Sequence, residues 1–86
     1  MKKKLEILMN SNDVENTVLA CEIYKGIAVK GNRTSIIADL YRKLLECEEL
    51  VELIPDRMTD LKLAFLDKCL VLNDTIQHID RMEPQN

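Results

Sequence analysis

The stretch Arg57–Met82, RMTDLKLAFLDKCLVLNDTIQHIDRM, decides the fold. Its apolar residues recur at Met58, Leu61, Phe65, Cys69, Leu72, Ile76 and Ile79, in steps of three or four. That spacing draws one stripe along a helix of about seven turns. A second apolar set, Leu63, Leu66 and Leu70, lies on another side of the same helix. A helix that is apolar on two sides has to be covered on two sides. In a chain of 86 residues the second cover is expected to be another subunit, so Leu63, Leu66 and Leu70 are the expected homodimer interface.

Working back from Arg57, the residues Ile54-Pro55-Asp56 form a short corner. The residue before proline avoids the α region, so the preceding helix stops there, and Asp56 is placed to cap the next one. In the preceding segment Ile37, Leu40, Leu44, Cys47, Val51 and Ile54 are spaced 3, 4, 3, 4 and 3, a heptad seam that Ile36, Tyr41 and Leu45 widen. Thr34 or Ser35 is the expected cap of this helix. A link of three residues turns it back on its successor, which makes an antiparallel hairpin.

Val14 to Lys30 reads as another helix, with Ala20, Ile23, Tyr24 and Ile27 on one face and Val18, Cys21 and Ala28 beside it. Asn10 to Asp13 supply N-cap chemistry before it, and Gly31-Asn32 tolerate the left-handed stop after it. Residues 1–12 read as a weakly ordered N-terminal segment or a short helix, in which Lys3 to Met9 presents Leu5, Leu8 and Met9, and Glu83 to Asn86 reads as a disordered tail. The expected fold is a single all-α domain of three to four helices ending in an antiparallel hairpin and forming a homodimer.

Composition narrows the function. The apolar fraction of 47% suffices for a core, but the only aromatic residues are Tyr24, Tyr41 and Phe65. Such a short chain buries about 60% of its unfolded surface, so a lone monomer is marginal. The net charge of −3 argues against broad phosphate binding. Cys21, Cys47 and Cys69 show neither an even count nor paired spacing, so they read as buried inert thiols in a reducing cytoplasm. The Leu5–Met9 run is too short and too polar for a signal peptide, and no apolar run is long enough to span a membrane.

Nothing in the chain assembles a catalytic set, and neither metal nor cofactor is expected. His78 is the only histidine, and Asp74 one turn before it makes a weak pair. Glu48 and Glu52 share a helix face, as do Glu49 and Glu52, but no Glu-x-x-His accompanies them. The acidic segment 46–60, with Glu46, Glu49, Glu52 and Asp56, is instead a possible docking face for a basic partner. The expected function is a non-enzymatic regulatory adaptor that binds a signalling or transcription protein. A small dimeric DNA-binding regulator using Arg33, Arg42 and Lys43 is the first alternative. A phage or plasmid inhibitor of a host protein is the second.

Val18-Leu19-Ala20, Glu22 to Ile27, Lys30-Gly31-Asn32 and Ile36 to Glu46 together resemble the AriR/YmgB-type enterobacterial biofilm and acid-resistance regulators and their connector relatives. The resemblance spans residues 14–72 and lies in the order of a helix, a glycine-containing turn, a leucine-rich helix with an acidic end, and a final apolar helix. It implies a compact helical homodimer acting in bacterial regulation, linked to the Rcs phosphorelay and to gene control, with no catalytic residue. The Pro55 corner departs from the group's pattern.

Overall fold

The computed structural model describes residues 2–82 and contains four helices: α1 (Lys2–Met9), α2 (Val14–Lys30), α3 (Arg33–Leu53) and α4 (Thr59–Asp80). The segment 83–86, expected to be a disordered tail, lies outside the described residues. The fold is all-α, and α3 and α4 form the expected antiparallel hairpin. Leu44, Glu48, Val51 and Glu52 of α3 line a shared groove with Leu66, Cys69, Leu70 and Asn73 of α4.

α4 is the central helix. It packs most extensively on α3 and next on α2, while α1 packs on α2. The α1–α2 loop also crosses to the hairpin. Lys68 Nζ donates to the Ser11 carbonyl at 3.2 Å, and Lys43 Nζ donates to Asn10 Oδ1 at 3.1 Å. One side of the hairpin is thereby covered. The radius of gyration is 13.4 Å and the extents are 50 × 23 × 16 Å. A spherical domain of this length has a radius of gyration of about 12 Å, so the helices form an elongated, flattened array with much of its surface near the core.

Local chemistry explains the boundaries. Asp13 caps α2, its Oδ1 accepting from the Glu15 backbone N–H at 2.9 Å. Ser11 Oγ supports the turn by accepting from the Asp13 N–H and the Asn16 side chain. α2 ends at Gly31, whose φ of 134° suits glycine, and Asn32 follows in the left-handed region at φ 61°. α3 then starts at Arg33, earlier than expected. Asn32 occupies the cap position without a side-chain bond, so neither Thr34 nor Ser35 is the cap.

The α3–α4 corner is longer than the expected link. α4 begins at Thr59 rather than Arg57, and Asp56 does not cap it. Asp56 instead pairs with Lys62 at 2.8 Å, and that hydrogen bond holds its carboxyl below the usual range. Thr59 Oγ1 closes the turn by donating to the Asp56 carbonyl at 3.1 Å.

The core is the line Leu5, Met9, Ala20, Cys21, Ala28, Ile36, Leu40, Leu44, Cys47, Leu72 and Ile79. The α3 seam lies as the spacing predicts, with Leu40, Leu44 and Cys47 buried and Ile37, Val51 and Ile54 half-buried. Tyr41 and Leu45 do not widen the buried stripe; both are exposed, as are Val18 and Met58. On α4 the inward line is Lys68, Leu72, Thr75 and Ile79. Cys69 and Ile76, expected on that line, are rotated to its edge and half-buried.

Candidate functional site

The uncovered side of the α3–α4 hairpin carries the most distinctive surface of the molecule. Leu63, Leu66 and Leu70 are 54%, 42% and 61% exposed. Positions 63, 66 and 70 share one face of a helix, so these leucines form a continuous outward stripe. Between the helices runs an open groove of about 730 Å³. Leu44 and Cys69 lie beneath it, Val51, Leu66 and Leu70 form its walls, and Glu48 and Glu52 stand on its α3 rim. Tyr41 and Leu45 precede Glu48 and Glu52 by one heptad on the same edge of α3, which extends the apolar wall.

The sequence-derived acidic face does not form one patch. Glu46 lines a small cavity on the α1 side, with Met9, Lys43 and Lys68, and pairs with Lys43 at 3.5 Å. Glu49 is exposed elsewhere on α3, and Asp56 is engaged with Lys62 in the corner. Only Glu52 of the four lines the groove, and its neighbour there is Glu48. The helical period explains the split: Glu46 and Glu52 are six residues apart, which puts them about 120° apart around α3.

The cations of the nucleic-acid reading are also dispersed. Arg33 donates to the Met82 backbone carbonyl, Arg42 pairs with Asp39 at 2.8 Å, and Lys43 is shared between Asn10 and Glu46. Nine residues of α3, about 13 Å of helix, separate Arg33 from Arg42. His78 is exposed near the end of α4, in a shallow depression it shares with Asp74, Gln77 and Arg81.

The thiols are arranged in a way that spacing did not reveal. Cys47 and Cys69 lie near each other across the hairpin, close enough for each thiol to shift the other's titration. Burial pushes the Cys69 thiol up to about 11, and the neighbouring Cys47 adds to the shift. Burial likewise raises Cys47, partly opposed by the Lys68 ammonium, and raises Cys21, partly opposed by the neighbouring Thr75 hydroxyl. All three thiols therefore favour the protonated, unreactive form. Cys21 and Cys47 are buried as expected, whereas Cys69 is partly open to the groove.

Lys68 was not singled out by its sequence. Only 6% of it is exposed, its Nζ lies 5.8 Å from the centre of the Phe65 ring, and no carboxylate pairs with it among the described residues. Burial pulls its ammonium below the ordinary lysine value. Its geometry is that of a strut: the charge is spent on the Ser11 carbonyl, which fixes the α1–α2 loop to α4.

No family model, curated protein or solved structure matches the chain. Among the described residues no three His, Cys, Asp or Glu side chains converge as metal ligands, and no helix is long and apolar enough to cross a membrane.

Proposed function

We propose that this chain is a non-enzymatic adaptor that works in the cytoplasm and uses the uncovered α3–α4 face to hold a regulatory or signalling protein. The observation that carries the reading is the stripe Leu63, Leu66 and Leu70, exposed side by side along a groove with apolar walls. Contiguous exposed apolar surface of this kind marks interaction sites, whereas scattered apolar residues do not. The resemblance to AriR/YmgB-type regulators points to the same class of activity.

A Leu66→Glu/Leu70→Glu variant tests the proposal. Both residues are exposed, so the variant keeps its helical circular dichroism while losing the apolar face. Affinity capture from the source organism, with nuclease present, is expected to return a defined protein with the parent and not with the variant. Equal recovery with both, or recovery of nucleic acid alone, refutes the adaptor reading.

A second copy is the other occupant that the exposed leucines admit, giving the homodimer expected from the sequence. Sedimentation equilibrium decides between them: a dimer in the parent that the double variant abolishes supports self-association, and a monomer in both excludes it. Direct DNA binding through Arg33, Arg42 and Lys43 has less support, since each already holds a partner within the chain.

A further inference from the structure

We infer that the occupant of the α3–α4 groove is a basic amphipathic helix of a partner protein. This rests on the reading of that face as the working surface and adds the chemistry of what it holds. The deciding feature is the charge on both edges of the leucine stripe. Glu48 and Glu52 stand on the α3 side. On α4, Asp60, Asp67 and Asp74 recur every seven residues, all exposed, along the opposite edge of Leu63, Leu66 and Leu70.

None of these five carboxylates belongs to an ion pair among the described residues. No nearby cation forms an ion pair with them: Lys62 is drawn to Asp56, Arg57 sits in the corner, and Arg81, in the depression it shares with Asp74, donates to Gln77. The face is thus an apolar track between two rows of unpaired negative charge.

A second copy is a poor match for such a face. A two-fold dimer brings a patch against itself, so acidic rows would meet acidic rows. Like-charge juxtaposition at an interface costs several kcal/mol in general. An anionic membrane is repelled for the same reason. A helix with apolar residues at i, i+3, i+4 and i+7, flanked by Lys or Arg, answers both features at once. The row from Asp60 to Asp74 is about 21 Å long, or four helical turns.

The test uses the full chain and fluorescence anisotropy with three labelled peptides of about 18 residues, about 27 Å of helix, long enough to span that row. The first carries leucines on one helical face and lysines elsewhere. The second replaces every lysine with glutamate, and the third scrambles the leucines of the first. The lysine peptide is expected to bind about tenfold or more tighter than either control, and to weaken as salt rises. Glu48→Gln/Glu52→Gln/Asp67→Asn is expected to weaken it about tenfold with unchanged circular dichroism. Leu66→Ala/Leu70→Ala is expected to abolish binding, and serves if the glutamate variant does not fold.

Equal binding of the lysine and glutamate peptides, or indifference to the charge-neutralising variant, overturns the inference. If the leucine variant still loses a captured protein while charge makes no difference, the adaptor reading stands and the basic helix falls. If a dimer forms through the leucines and tightens when the carboxylates are neutralised, a second copy is the occupant. If the leucine variant changes nothing, both readings fail.

Discussion

Leu72→Ala and Leu70→Ala differ by two positions on one helix and should differ sharply in consequence. Leu72 is fully buried at the centre of α4, while Leu70 is 61% exposed on the opposite side. Removing a buried leucine to alanine destabilises by about 2–5 kcal/mol, through lost transfer energy and the residual cavity. A domain of this size has a total stability of roughly 4–13 kcal/mol. Taking about 3 kcal/mol for Leu72→Ala, and about 4–8 °C per kcal/mol, the melting temperature falls by roughly 12–24 °C. Leu70→Ala removes the same atoms from solvent-exposed surface and should stay within about 0.5 kcal/mol of the parent. Urea unfolding followed by far-UV circular dichroism measures both, at two protein concentrations. A loss above about 1 kcal/mol for Leu70→Ala at every concentration would show that the leucine stripe is packed within the chain. A loss that appears only at high concentration would locate self-association on that stripe. A Leu72→Ala change below about 1 kcal/mol would mean that α4 is rotated about its axis and that the inward line is wrong.

Three further outcomes follow from buried polar groups. Thr17 is fully buried and its Oγ1 has no hydrogen-bond partner among the described residues, so Thr17→Val should stabilise by about 1 kcal/mol in the same urea assay. Lys68→Met should raise stability by about 1–2 kcal/mol, because relief of the buried charge outweighs the lost bond to Ser11; a loss of that size would show that the strut dominates. The parent's alkaline stability combines opposing signs: the lowered Lys68 value makes the unfolded state bind more protons, so stability rises with pH up to 10.5, while the raised thiols make the native state bind more, so stability falls from 9.0 upward. Lys68→Met removes the rise and leaves the fall. For Cys69, held near 11, the ceiling of about 2.7 kcal/mol shrinks to roughly 1 kcal/mol given its partial exposure. Adding Cys69→Ser to Lys68→Met should therefore make the fall between pH 9 and 11 shallower, Cys21 and Cys47 carrying the remainder; a curve that stays as steep refutes the assignment.

The helices were legible because their punctuation is chemical. Asp13, Gly31-Asn32 and Pro55 each act through a local backbone constraint, and those constraints do not depend on the rest of the fold. Caps were less legible. Asp56 has the right residue type for an N-cap but found a better partner in Lys62, and Thr34 and Ser35 were bypassed because Asn32 already permits the helix to begin. A capping side chain competes with every other partner within reach, and reach is a tertiary property.

The largest departure concerns which residues of α4 point inward. The lines 61-65-69-72-76-79 and 61-65-68-72-75-79 both have helical spacing, and they differ by one residue at two positions. Apolarity selected Cys69 and Ile76, whereas the packing of α4 between α2 and α3 selects Lys68 and Thr75. Each inward polar group is accommodated by a specific acceptor: the Ser11 carbonyl for Lys68, and the Val71 carbonyl, at 2.7 Å, for Thr75. That one-residue rotation also brings Cys69 to Cys47 and opens it to the groove. The second stripe survived the ambiguity because Leu63, Leu66 and Leu70 lie opposite either inward line, so a small rotation leaves them outside. The acidic residues lacked that protection. Glu46 and Glu52 are close in sequence but differ in helical phase, while Glu48, Glu52, Asp60, Asp67 and Asp74 are brought together by helical phase across two helices. The site's charge is therefore a property of the hairpin, and no single segment displays it.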